Sequence, residues 1–231
     1  MKWEDLGGGI LLPITDSSRL SEDALLLARF AGAMPADTAC DLGTGNGVIP
    51  LCWCRRDPPK AITAVEKNET LAALAKDAIE KNGLQERVTL IESDWTALPA
   101  SLDHTFSLIT CNPPYFPSGQ GRPSADPVRD AMRREDTPDL LFGLFATAAR
   151  LLTPDGRFCL CHRPERLQDV MAAASKAGLT SRRLQWVQTA EGVAPWLFLL
   201  EVGHKGTLRV LPPRVTGEQG SHTAVYKRTK V

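Results

Sequence analysis

The stretch from Thr38 to Gly47 limits the fold more than any other part of the chain. Thr38 to Leu42 (TACDL) has the apolar character of a short buried strand and runs directly into Gly43, Gly45 and Gly47. Val48 to Arg56 then carries the pattern of a helix. A strand that passes through a glycine turn into a helix is the opening unit of a parallel α/β sheet.

The remaining segments repeat that alternation. Ala61 to Glu66, Val88 to Glu92, Phe106 to Cys111 and Arg157 to Cys161 are predicted strands. Between them, Glu69 to Asn82 and Asp139 to Leu152 show apolar residues at helical spacing. Pro164 to Ala177 opens with a proline, as helices often do, and is a third such helix. Thr180 to Gln188 and Pro195 to Val202 are strands too close together for a helix between them, so they pair antiparallel. The expectation is an α/β, Rossmann-like, doubly wound sheet of seven strands, mostly parallel, ending in an antiparallel hairpin.

Three divisions follow. Residues 1–35 are a helical lead-in, with Ser21 as N-cap and Glu22 and Asp23 suited to the helix dipole. Residues 36–202 form the sheet domain, and 203–231 a basic extension. The 117–138 stretch, rich in Pro, Gly, Arg and Asp, is too polar for a core.

Composition excludes little. Lys plus Arg and Asp plus Glu both number 27, so any nucleic-acid partner would have to be met by a local basic patch. No apolar run approaches the roughly 20 residues of a membrane span. Met1 to Gly9 lacks the build of a secretory signal, so a cytoplasmic location is expected; of the oligomeric states left open, a monomer is favoured. Cys52 with Cys54 and Cys159 with Cys161 lie in apolar stretches without the usual zinc spacing, which predicts buried thiols and no metal.

The glycine pattern is Asp41-x-Gly43-x-Gly45-x-Gly47, not the G-x-G-x-x-G that seats a dinucleotide pyrophosphate. It suits a ligand without phosphate, such as a sulfonium nucleoside with a cationic amino-acid end. Asp41 is placed to order the loop or to meet that cation. Glu66 ends the next strand, 25 residues on, within reach of two ribose hydroxyls. Asp94 follows the third strand and can accept from an adenine amine, with Trp95 beside it as a stacking face. Acids at the carboxyl ends of successive parallel strands stand where open α/β sheets bind ligands. Thr44, Lys67 and Asn112 complete the candidate cofactor set.

Asn112-Pro113-Pro114-Tyr115 directly follows the fourth strand. A conjugated nitrogen is a poor nucleophile because its lone pair is delocalised. Two fixed oxygens, the Asn112 side chain and the Pro113 carbonyl, can accept its hydrogens and favour a tetrahedral nitrogen. Prolines hold such acceptors rigid, and the Tyr115 ring can stack on a planar substrate.

With these motifs in this order, the chain resembles class I methyltransferases acting on nitrogen, and more closely the bacterial tRNA(Val) adenine-37 N6-methyltransferase family. Further matching pieces are Ser21-x-Asp23-Ala24, Phe116 after the motif, and Arg133-Arg134-Glu135. His162-Arg163-Pro164-Glu165-Arg166-Leu167 and Val210-Leu211-Pro212-Pro213 also match. The resemblance implies S-adenosylmethionine contacts at Asp41, Gly43, Gly45, Glu66 and Asp94, and catalysis around Asn112 to Tyr115. Arg134 stands where the family often has histidine.

Three acceptors suit the same motif: an RNA adenine, a protein glutamine and a DNA adenine. Glutamine enzymes usually carry an N-terminal helical domain, and the 35 or so residues before the first strand are too few for one. Sequence-selective DNA enzymes need a separate recognition domain, for which no stretch is long enough. An unstacked anticodon-loop adenine in tRNA is therefore favoured, ahead of another RNA or nucleobase nitrogen and of glutamine, with Tyr115, Phe116, Arg133 and Arg134 as candidate substrate contacts.

Overall fold

The computed structural model describes residues 1–16, 18–56, 59–115 and 139–217. Ahead of the lead-in helix stands an antiparallel hairpin, β1 (Lys2–Asp5) and β2 (Leu11–Ile14). Gly7, Gly8 and Gly9 turn it at φ of 87°, 70° and 79°, backbone shapes that cost side-chain-bearing residues dearly. Leu6 and Leu12 are fully buried, and Asn82 clamps the hairpin by exchanging two 2.7 Å hydrogen bonds with the Leu11 backbone.

α1 (Glu22–Ala31) begins where predicted. The Ser21 hydroxyl accepts from the Ala24 N–H at 3.4 Å, and Gly32 ends the helix in the left-handed region. Seven of its ten residues are buried, so it lies against the sheet. Its last carbonyls, Ala31 and Gly32, accept from Arg157, which also pairs with Asp37 at 2.7 Å. Burial would raise the Asp37 carboxyl, but hydrogen bonds from Arg157 and Ser107 outweigh it and hold the group low. Breaking such a sheltered pair leaves a bare charge, at a cost of about 3–5 kcal/mol.

The α/β alternation follows as β3 (Thr38–Leu42), α2 (Val48–Trp53), β4 (Ala61–Glu66), α3 (Glu69–Lys81) and β5 (Val88–Glu92). It continues as β6 (Phe106–Cys111), α4 (Leu140–Leu151), β7 (Leu152–His162) and α5 (Leu167–Lys176). Last come β8 (Thr180–Gln188), β9 (Leu197–Gly203) and β10 (Arg209–Val215). The main sheet runs in the order β10-β8-β9-β7-β6-β3-β4-β5. Only β9 is antiparallel to its neighbours.

The seven predicted strands are β3 to β9, closed by the predicted β8–β9 hairpin. An eighth, β10, joins the edge parallel to β8, out of the extension that shows no period in sequence. Pro212 and Pro213 hide it, because proline cannot donate to a ladder. An edge strand tolerates them, and the register slips between Leu211 and Arg214 where they sit.

Apolar layers cover both faces. Leu27, Ile49, Ile62 and Leu199 fill the α1–α3 side, and Leu42, Ile109, Phe145 and Phe158 the α4–α5 side. From β3 the chain winds outward through β4 to β5, then returns to place β6 on the other side of β3. The carboxyl ends of β3 and β6 thus flank the switch point of the sheet. No helix among the described residues is long and apolar enough to cross a membrane.

Candidate active site

Asp41 and Asn112 stand on either side of that switch point, at the end of β3 and just past β6. Beyond β3 the loop turns through Gly43, Gly45 and Gly47 at φ of 72°, 61° and 88°. A side chain at Gly43 would meet the Trp95 ring at 3.1 Å, so glycine is required there twice over. The loop is held to β4: the Gly43 and Thr44 N–H groups both donate to the Val65 carbonyl, at 2.8 and 2.9 Å. Asn46, buried, donates to the Pro13 carbonyl at 2.9 Å and ties the loop to the N-terminal hairpin.

Glu66 is a clamp. One carboxylate oxygen accepts from Gly45 N–H and the other from Asn68 N–H, each at 2.8 Å. Each oxygen keeps a lone pair for a further donor. Asp41 is 1% exposed, and one of its oxygens accepts from the Thr110 hydroxyl at 2.7 Å. Its other oxygen and the Thr44 hydroxyl, close enough to feel one another, complete no hydrogen bond among the described residues. Burial pushes the Asp41 carboxyl up to about 7 against the Thr110 bond, and the nearby Glu66 charge adds to the rise. A cation arriving at that oxygen would be met by a carboxylate with an unengaged lone pair. Further out, burial works to raise Asp94, but two Thr96 donors and Lys67, 3.6 Å away, hold it below the usual carboxylate range.

The acceptor motif is embedded in a side-chain network. The Tyr115 hydroxyl lies 2.8 Å from Asp23 Oδ2, 2.5 Å from Asn112 Oδ1 and 3.4 Å from Cys161 Sγ. Cys161 also donates to Asn112 Oδ1 at 3.1 Å. The Arg163 guanidinium covers the Tyr115 ring at 4.6 Å and pairs with Asp23 at 3.6 Å. His162 approaches the ring tilted, with centroids 5.1 Å apart. The ring is therefore no bare platform in this structure.

Burial pushes the Tyr115 hydroxyl and the Cys161 thiol well up, and neighbouring Asp23 adds to both, so neither ionises at neutral pH. His162 goes the other way. Burial and then the charges of Arg166 and Arg163 lower it to about 3, and its Nδ1 accepts from the Arg163 N–H. It is a neutral imidazole and a weak base.

Every predicted site residue within the described chain lies along the carboxyl edge of β3 to β6; Phe116, Arg133 and Arg134 fall outside the described residues. Sequence reasoning did not place Asp23, Cys161, His162 and Arg163 in the site. Two signals were there: Asp23 stands in the first turn of a helix, and His162 ends a strand beside β6 in the sheet, with Arg163 just past it.

A phosphate-free nucleoside loop on one side of the switch point and Asn-Pro-Pro-Tyr on the other define the class: S-adenosylmethionine-dependent methyltransferases. The family profile of the methyltransferase small domain matches residues 21–174. The tRNA1(Val) (adenine(37)-N6)-methyltransferase of Tolumonas auensis is 31% identical over 188 residues, 81% of this chain and 77% of that one. The Porphyromonas gingivalis (strain ATCC 33277) enzyme of the same name is 32% identical over 192 residues, 79% and 73% of the two chains. The chain belongs to the methyltransferase small domain family and, within it, to the tRNA1(Val) adenine-37 N6-methyltransferases. A solved structure of a predicted O-methyltransferase from Agrobacterium tumefaciens shares the fold (TM-score 0.65, 23% identity, 87% of this chain and 90% of that one).

Proposed function

We propose that the protein methylates the exocyclic N6 of an adenine in tRNA, at the position 37 that its relatives' name specifies, as a cytoplasmic monomer. The observation that carries this reading is the placement of Asn112 directly across the switch point from Asp41 and its open carboxylate oxygen. S-adenosylmethionine, when bound, supplies an electrophilic methyl group. Asp41 and Thr44, each with an unused buried polar atom, suit its cationic amino-acid end. Glu66, its backbone bonds already made, keeps lone pairs for the ribose hydroxyls. Asp94 and Lys67 suit the polar edge of the adenine ring, and Trp95 its face, over the shape left by Gly43.

On the acceptor side, Asn112 Oδ1 and the Pro113 carbonyl take the two N6 hydrogens. The nitrogen lone pair is then drawn out of conjugation and turned toward the electrophile. Asn-Pro-Pro fixes both acceptors, so little reorganisation is needed when the base arrives. The proton released afterwards passes to solvent water; Tyr115 and Cys161 stay protonated at neutral pH and offer no anionic base. Arg163, a flat cation over Tyr115, offers the incoming base a stacking surface alongside the ring.

The test uses two tRNA preparations that differ by one methyl group at that adenine N6. Label from radioactive cofactor should enter the unmodified tRNA and not the premethylated one. Equal labelling of both would overturn the reading.

A further inference from the structure

The Tyr115 hydroxyl has one proton and two oxygens within reach, Asp23 Oδ2 at 2.8 Å and Asn112 Oδ1 at 2.5 Å. It can donate to only one at a time. A carboxylate is the stronger acceptor. Asp23 is also favourably placed as an anion: it lies in the first turn of α1, with the Arg163 guanidinium 3.6 Å away. The proton therefore goes to Asp23.

That choice has a consequence for Asn112. Two oxygens at 2.5 Å need a hydrogen between them, and once the hydroxyl proton is committed only the Asn112 amide can supply one. Half a turn of the carboxamide presents Nδ2 to the hydroxyl and releases Oδ1 from it. Cys161 tolerates either end of the amide, since a thiol is a weak donor and a weak acceptor. Without Asp23 the proton falls back on Asn112 Oδ1, the oxygen the substrate amine needs.

We propose that Asp23 is a positioning residue: by taking the Tyr115 hydroxyl proton it keeps the Asn112 carbonyl oxygen free for the N–H of the methyl-accepting nitrogen. The proposal rests on the role given to Asn112 above. It makes Asp23 act on turnover through the Tyr115 hydroxyl, apart from its pairing with Arg163, which separates it from a residue that merely braces α1.

The experiment compares wild type, D23N, Y115F, the D23N/Y115F double variant, D23E and N112A, on unmodified tRNA and saturating cofactor. D23N should lower kcat by about tenfold or more, while the KM for tRNA and the Kd for cofactor stay within about twofold. In the Y115F background there is no proton to redirect, so D23N should change kcat by less than about twofold. D23E retains a carboxylate, the acceptor stronger than the Asn112 amide, and should stay within about threefold of wild-type kcat. A second readout needs no turnover. The sequence has two tyrosines, Tyr115 and Tyr226, so tyrosine labelled with carbon-13 at Cζ gives two resonances. D23N should shift the Tyr115 resonance, with Tyr226 as internal reference.

Equal losses from D23N with and without the Tyr115 hydroxyl would overturn the proposal. So would an unmoved Tyr115 resonance, or a tenfold loss in D23E with cofactor binding intact. Failure of the functional reading looks different: wild type leaves tRNA unlabelled, or N112A turns over like wild type. The resonance still reports the destination of the proton in that event.

Discussion

The two halves of the site are built from different material. On the proposed cofactor half, Glu66 holds the glycine loop through the Gly45 N–H, 21 residues away. The Asp94 turn closes on Thr96 and Lys67, and the Thr110–Asp41 bond, 69 residues apart, is a longer reach. On the acceptor half, side chains from α1, the turn after β6 and the end of β7 converge on one hydroxyl: Asp23 and Tyr115 are 92 residues apart, and Asn112 and Cys161 are 49 apart. The first half is mostly a local motif along a sheet edge, pinned from afar at Asp41 and Asn46. The second exists only after the fold is complete. Substitutions in the first half should therefore act on binding, and those in the second on turnover.

The sharpest division is expected at Asn112. Asn112→Ala should reduce methyl transfer about a hundredfold to a thousandfold, as for removal of a fixed transition-state partner, with cofactor affinity nearly unchanged. Transfer rates and calorimetry on one preparation check both parts, and a parallel loss of affinity would erase the distinction. Next in size is Glu66→Ala. Loss of a charged partner, about 1.5–3 kcal/mol, should weaken cofactor binding roughly ten- to a hundredfold. An unchanged dissociation constant would remove the ribose role.

How far each half can be read from sequence follows the same line. Asp41, the glycines and Glu66 were visible because strand, turn and acid are contiguous or evenly spaced. Even there the clamping of Gly45 and Asn68 by Glu66 was not, since it depends on loop shape. In the acceptor half Asn112 and Tyr115 announce themselves as a motif. Their partners were hidden: Asp23 looked like an ordinary first-turn acid, and Cys161 like a core thiol. The missed hairpin and β10 failed for local reasons, four-residue strands joined through three glycines in one case and Pro212-Pro213 in the other.

Two buried groups allow the halves to be compared by pH. Burial pushes the Asp41 carboxyl up to about 7 in the folded protein from 3.8 in the open chain, so its stabilising contribution is full below 3.8 and is lost as pH rises through 7. His162 titrates at about 3 against 6.5, so the folded state loses stability as pH falls from 6.5 toward 3. Between about pH 4 and 6.5 the two slopes oppose one another, each about 1.4 kcal/mol per pH unit. Relative to wild type, Asp41→Asn should gain stability as pH rises through this window. His162→Gln should gain as pH falls. Denaturant unfolding at both ends of the window measures the differences, and slopes of the same sign would contradict these burial effects.

The smallest expected effect is at Gly43. Gly43→Ala places a side chain at φ 72° and against Trp95, and should cost about 1–2 kcal/mol of stability. Thermal unfolding tests it, and cofactor binding should weaken with it because the loop must shift.

One measurement reaches the core of this reading, the delivery of a methyl group to a conjugated nitrogen of an RNA base. The protein is incubated with tritiated cofactor and, separately, unmodified tRNA, a peptide-chain release factor and duplex DNA, and each product is digested to its monomers. Tritium should be recovered as N6-methyladenosine from the tRNA alone. Recovery as methylglutamine, or as adenosine methylated on a ring nitrogen, would contradict it.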